Sequence, residues 1–79
     1  MNRRDPLAGL HVFRQVAATG SFTRAAALLG VTPAAVSQAI NQLEAELRLK
    51  LFHRTTRGVS LSEAGQRYHE QTEQPYRDL

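Results

Sequence analysis

The 79 residues predict a mainly α fold: three helices and a two-stranded hairpin, then one further helix. Two helical stretches are separated only by a tight turn at Gly30, and the second is opened by Thr32 and Pro33. Next comes LFHRTTRGVSL, whose ends have strand composition and whose middle, HRTTRG, has turn composition. The residues from Ser62 onward form a polar helical stretch with a broken apolar stripe. Two helices joined by a short Gly-containing turn make a helix-turn-helix, and a hairpin added to it makes a winged helix-turn-helix.

Length and composition bound the rest. A chain of 79 residues is one small domain with modest stability. With no cysteine, neither disulfides nor a Cys-based zinc site can staple it. The apolar content of 42% suffices for a single core, and no apolar run approaches the roughly 20 residues of a membrane span. MNRRDPLAG has two arginines but no long apolar region behind it, so it does not read as a secretory signal. A cytoplasmic, nucleoid-associated location is expected. Charge is uneven: residues 1–60 carry eight basic and three acidic residues, residues 61–79 two basic and four acidic. A basic body with an acidic tail suits a body that meets phosphates.

Asp5-Pro6 is a helix start, because Asp accepts backbone N–H groups as an N-cap and Pro is tolerated at the first helical position. Leu10, Phe13, Val16 and Ala17 then recur at helical spacing as a core face, and Gly20 is the stop. Ser21 caps the next helix. There Ala25, Ala26 and Ala27 keep the surface slim for a close neighbour. Phe22 and Leu28 or Leu29 are its anchors, and Val31 is expected to plug the turn after Gly30. In the helix opened by Thr32 and Pro33, Val36, Ile40, Leu43 and Leu47 fall within about 60° of one another, at about 100° per residue. That is its buried face.

The opposite face holds Ala34, Gln38, Asn41 and Ala45, with Ser37 on the flank. Residues 6–43 contain no Asp or Glu. A surface that meets DNA must avoid carboxylates, which repel phosphate. Gln and Asn can pair with adenine edges, and Ser can reach bases or phosphates. The hairpin carries Arg54, Thr55, Thr56 and Arg57 toward its tip, with Gly58 in the turn. A basic wing lies along the backbone or enters the minor groove. For Arg54 a structural ion pair with Glu44 or Glu46 is the competing role. Ser62 caps the last helix with Glu63 in its first turn. Ala64, Tyr68, Thr72, Tyr76 and Leu79 form its stripe, and Pro75 is expected to kink or end it. Such a helix either packs on the body or pairs with a partner helix.

The blocks FRQVAATGSFTRAAALLGVTPAAVSQAINQLEAEL and LFHRTTRGVSLSEAG carry a specific resemblance. In the order and spacing of GSFTRAA, AVSQAI, QLEAEL, LFHRT and LSEAG, residues 10–66 resemble the N-terminal DNA-binding domain of LysR-type transcriptional regulators. The resemblance implies a winged helix-turn-helix domain over residues 1–61 and a linker helix over residues 62–79 that pairs two protomers. It further implies a larger effector-binding domain that nothing here matches, so the chain is expected to be a truncated piece or a natural short form. Carried over by position, recognition contacts fall on Thr32, Pro33, Ala34, Ser37 and Gln38, and wing contacts on Arg54, Thr55 and Arg57. Asn41 joins them by its place on the exposed face. Many members carry Gln-Pro where this chain has Pro33-Ala34, and often Arg in place of Gln38. The family's linker helix is also usually more aliphatic than GQRYHEQTEQP, so isolated dimers are expected to be weak.

The expected function is therefore sequence-specific binding of double-stranded DNA as a homodimer (or a tetramer in the full-length protein). Pairing is expected through Ala64, Tyr68 and Thr72. A small-molecule effector would act only through the absent domain, and no cofactor, metal or membrane is called for. The alternative is a winged-helix protein-interaction module without specific DNA binding. An enzyme has little support, since His11, His53 and His69 fall on different elements with no nucleophile–base or metal-ligand spacing.

Overall fold

Hydroxyl side chains open three of the four helices. In the computed structural model, which describes the backbone from Pro6 to Arg77 and the side chains of residues 9–73, the order is α1 (Pro6–Thr19), α2 (Phe22–Leu29), α3 (Pro33–Leu47), β1 (Phe52–Thr55), β2 (Gly58–Leu61) and α4 (Glu63–Arg77). Ser21 Oγ accepts the Arg24 amide at 3.1 Å, and Thr32 Oγ1 accepts the Ala35 amide at 3.1 Å. Ser62 Oγ does the same for the Gly65 amide at 2.9 Å. Each bond satisfies one of the orphan donors of a first turn. The Asp5 cap lies outside the described residues, as do the side chains of Tyr76 and Leu79.

The ends are equally local. Gly30, at φ 73°, closes α2 in the left-handed region, and the Val31 amide reaches back to the Ala26 carbonyl at 3.0 Å. Arg48 closes α3 at φ 58°, a conformation that costs a residue with a Cβ about 1 kcal/mol. Its strain is offset by the bond from the Leu49 amide to the Glu44 carbonyl at 3.1 Å.

The three helices pack pairwise around Phe13, Val16, Ala25, Ala26, Val36, Ile40 and Leu43. Leu51 and Phe52, at the root of the hairpin, complete the core. Phe13 is its hub: its ring meets Phe52 at 5.3 Å and Tyr68 edge-on at 5.0 Å. Of the two leucines ending α2, Leu29 packs on the core and Leu28 is 69% exposed. At about 100° per residue, position 29 falls between Ala25 and Ala26, whereas 28 lies about 100° away. Val31 does not plug the turn, because its backbone closes the cap while its side chain stays 47% exposed.

The hairpin is antiparallel, with Phe52 opposite Leu61 and Thr55 opposite Gly58. Only Thr56 and Arg57 form the turn, so the strands run further toward the tip than the HRTTRG stretch suggested. The hairpin is tied down twice. At the root Glu44 Oε2 accepts the Leu51 and Phe52 amides at 2.8 and 3.3 Å, and nearer the tip the Val59 amide donates to the Gly20 carbonyl at 3.3 Å.

Helix α4 is joined to the same root. The Ser62 amide donates to the Leu51 carbonyl at 2.9 Å, and Ser62 Oγ donates to the Lys50 carbonyl. Gly65 then passes so close that a Cβ there would sit 2.0 Å from the Leu51 carbonyl oxygen. Glycine is required here for close approach, not for its φ. Helix α4 continues through Pro75 to Arg77 instead of ending at the proline. Pro75 sits in the last turn, where forfeiting one donor costs little of the helix that precedes it.

Candidate nucleic-acid interface

Burying Val36, Ile40 and Leu43 turns the other side of α3 outward. Thr32, Pro33, Ala34, Gln38 and Asn41 are exposed, and Ser37 is half-buried on the flank. The Thr32 hydroxyl already accepts the Ala35 amide, which leaves its proton for an outside acceptor. Glu44, the first acid after this face, is buried with its carboxylate turned to the hairpin root. The outward side of residues 32–43 therefore presents hydroxyl, amide and methyl groups with no carboxylate among them; exposed Glu46 lies in the last turn of α3.

Arg54, Thr55 and Arg57 are exposed on the wing, but they are not equivalent. Thr55 Oγ1 accepts the Arg57 amide at 3.1 Å, so this hydroxyl shapes the tip. The Arg57 side chain projects from that turn. Arg54 leans back onto the body. Its Nη2 donates to Asn41 Oδ1 at 2.8 Å and lies 4.0 Å from Glu44 Oε1, while the guanidinium sits over the Phe22 ring, 4.8 Å from its centroid. Of the two roles weighed for Arg54, the ion pair is present, and its partner is Glu44. The bond to Asn41 and the stack on Phe22 were not foreseen. They join elements far apart in sequence, and the register that brings them together is set by the Glu44 anchor.

On α4, Ala64 and Tyr68 are half-buried and line a shallow apolar depression with Leu49, Arg67 and Gln71. Leu49 is 44% exposed. Tyr68 puts one ring edge into the core beside Phe13, and burial raises its phenol above the ordinary tyrosine value. Thr72 returns its hydroxyl to the Tyr68 carbonyl at 2.7 Å. The outer side of this helix is polar, with an ion pair from Arg67 to Glu63, while half-buried His69 turns inward and meets the Phe13 ring edge-on at 6.0 Å. Among the described residues no cluster of His, Cys, Asp or Glu could hold a metal ion, and no helix is long and apolar enough to cross a membrane.

Residues 7–66 match the family model of bacterial regulatory helix-turn-helix proteins of the lysR family. The chain belongs to the LysR family. Curated LysR-like relatives include a putative transcriptional regulator of Pseudomonas aeruginosa, 58% identical over 70% of this chain and 18% of its own length. The transcriptional activator AaeR of Escherichia coli is 42% identical over 84% of this chain and 21% of its own. The chain thus spans about a fifth of the length of the curated relatives it matches. Among solved structures, the BenM DNA-binding domain on its catB site 1 DNA superposes with a TM-score of 0.83 at 29% identity, covering 91% of this chain and 81% of that one. Full-length CbnR with its target DNA superposes with a TM-score of 0.81 at 30% identity, covering 89% of this chain and 24% of that one. The four helices and two-stranded wing are the LysR DNA-binding architecture, and the family is one of transcriptional regulators rather than enzymes.

Proposed function

We propose that the chain is the DNA-binding part of a LysR-type regulator and that it binds double-stranded DNA with sequence preference. The observation that carries this reading is the outward side of residues 32–43: exposed hydroxyl and amide groups, no carboxylate, and a basic wing beside them. The N-terminal turns of α3 enter the major groove, where Thr32, Pro33, Ala34, Ser37 and Gln38 face base edges and Asn41 lies at the wing side. Thr55 and Arg57 meet the phosphate backbone or the minor groove, with Arg54 between them and the body.

Binding is as a homodimer. Residues 62–79 act as the linker and dimerisation helix beyond the winged domain of residues 1–61, with Ala64, Tyr68 and Thr72 in the pairing stripe. Such pairing sets two α3 helices into successive major grooves of an inverted repeat. The polar outer side of α4 supports weak pairing, strengthened in a longer protein by an effector-binding domain that also sets activation or repression. The site of action is the cytoplasm, on the nucleoid.

Selection from a random duplex pool tests the reading. A two-fold symmetric consensus is expected. Recovery of unenriched sequence, or binding that stays flat as salt rises, would remove DNA reading and leave a protein-interaction role.

A further inference from the structure

Arg54 is in the right place to be a phosphate contact and in the wrong state to be a good one. Its guanidinium has three partners on two elements: Asn41 and Glu44 on α3, and Phe22 on α2. Glu44 is itself fixed, because its other oxygen holds the first two amides of the hairpin root. The partners form a chain: α3 holds the root through Glu44, Glu44 faces Arg54, and Arg54 returns to α3 through Asn41. The planar fork of arginine suits this work, since it can donate in its plane while stacking on a ring across it. One nitrogen is already given to Asn41 and one face to Phe22, so part of the fork is committed within the protein before phosphate arrives.

We infer that Arg54 is a positioning residue, a latch that sets the wing's angle against the recognition helix and holds the Asn41 amide in place. The inference rests on the proposed DNA reading. In it, the wing and α3 must engage one duplex together, so the spacing between them is a binding parameter. Arg54 tunes that spacing before DNA arrives, and the ordering of the wing is complete in the free protein. Arg57, at the tip, is the residue left to meet phosphate. Asn41 Oδ1 already accepts from Arg54, so the amide N–H groups of this exposed residue are what it has to offer a DNA acceptor.

Four variants separate a latch from a phosphate contact: Arg54→Gln, Arg54→Lys, Asn41→Ala and Phe22→Leu. Each is measured for duplex affinity across a salt series, on the preferred sequence recovered by selection. A phosphate contact predicts that Arg54→Gln lowers the slope of log affinity against log salt by about 0.9, and that Arg54→Lys restores both slope and affinity. A latch predicts a slope unchanged to within about 0.3, and an affinity loss on the order of tenfold that Lys does not rescue. Phe22→Leu removes no charge, and under the latch it lowers affinity too, non-additively with Arg54→Gln.

Hydrogen exchange in the absence of DNA supplies the second readout. The latch predicts faster exchange at the wing amides of Thr55 and Val59 in Arg54→Gln and in the exposed-site variant Asn41→Ala, with core amides such as Ile40 unchanged. Wing exchange equal to the parent's in both variants would overturn the inference, as would a lysine that rescues fully. If the parent itself shows no duplex binding, the DNA reading fails, while exchange still decides whether Arg54 holds the wing.

Discussion

Replacing Gly65 by alanine should destabilise the protein, against the ordinary sign of that substitution. In an exposed helix interior, Gly→Ala gains about 1 kcal/mol. At position 65 the new Cβ would lie 2.0 Å from the Leu51 carbonyl oxygen, 2.9 Å from its carbon and 3.1 Å from Leu61 Cδ2. The first contact is with backbone, which cannot rotate away. Carbon and oxygen need roughly 3.2 Å, so α4 must withdraw by about an ångström, forfeiting dispersion contacts along its seam. Withdrawal stretches the Ser62 amide bond to the Leu51 carbonyl, now 2.9 Å, and loosens Tyr68 from Phe13. A lost hydrogen bond costs about 1 kcal/mol, and overpacking in a fitted site about 1–3 kcal/mol. Against the helix-propensity gain, the net loss is about 2 kcal/mol. For a domain of this size that lowers Tm by about 8–16 °C. Urea unfolding followed by far-UV circular dichroism measures it directly. The control is Gly9→Ala in α1, where a Cβ would meet Leu43 Cδ1 at an ordinary 3.6 Å. That variant should be more stable than the parent by about 0.5–1 kcal/mol. If Gly65→Ala matches or exceeds the parent while Gly9→Ala behaves as expected, the docking of α4 on Leu51 is wrong.

The other expectations concern binding and pH. Gln38→Ala should relax preference at one base-pair position by about 1–3 kcal/mol while leaving affinity for random duplex nearly unchanged. Equal losses on specific and random DNA would refute direct reading. Arg57→Ala should weaken binding to all sequences alike and reduce the salt slope by about 0.9. An unchanged slope would rule out a phosphate contact at the wing tip. Burial holds the Tyr68 phenol in its neutral form. The unfolded chain therefore releases that proton first, and stability should fall as pH rises through about 10. Urea melts across that range should show a shallower fall in Tyr68→Phe, and parallel curves would deny the effect.

The fold was legible where one residue's chemistry decides the local backbone. Ser21, Thr32 and Ser62 announce helix starts because a hydroxyl finds its own first-turn amide, whatever the rest of the chain does. Gly20 and Gly30 announce stops for the same reason. Arg48 gave no such signal: nothing local favours arginine in the left-handed region, and the position is imposed by the Glu44 contacts around it. The exposed face of α3 was readable from periodicity. Its partnership with the wing was not, because the offset between Asn41 and Arg54 depends on how Glu44 seats the hairpin. In the tail, composition shows a polar helix with Pro75, which the helix passes through to Arg77; the close crossing at Gly65 left no signal, because it depends on where Leu51 lies.

The Gly20 carbonyl that receives the Val59 amide joins the first interhelical turn to the last strand. Contacts among α1, α2 and α3 close over short loops, whereas this one waits until most of the chain is in place. The order of assembly follows: a helical trio condenses first, and the hairpin is clipped on afterwards. Changes at the clip should therefore leave the folding rate nearly alone and act on the unfolding rate. Sequence drift in the wing would cost the molecule lifetime in the native state, not its ability to reach that state.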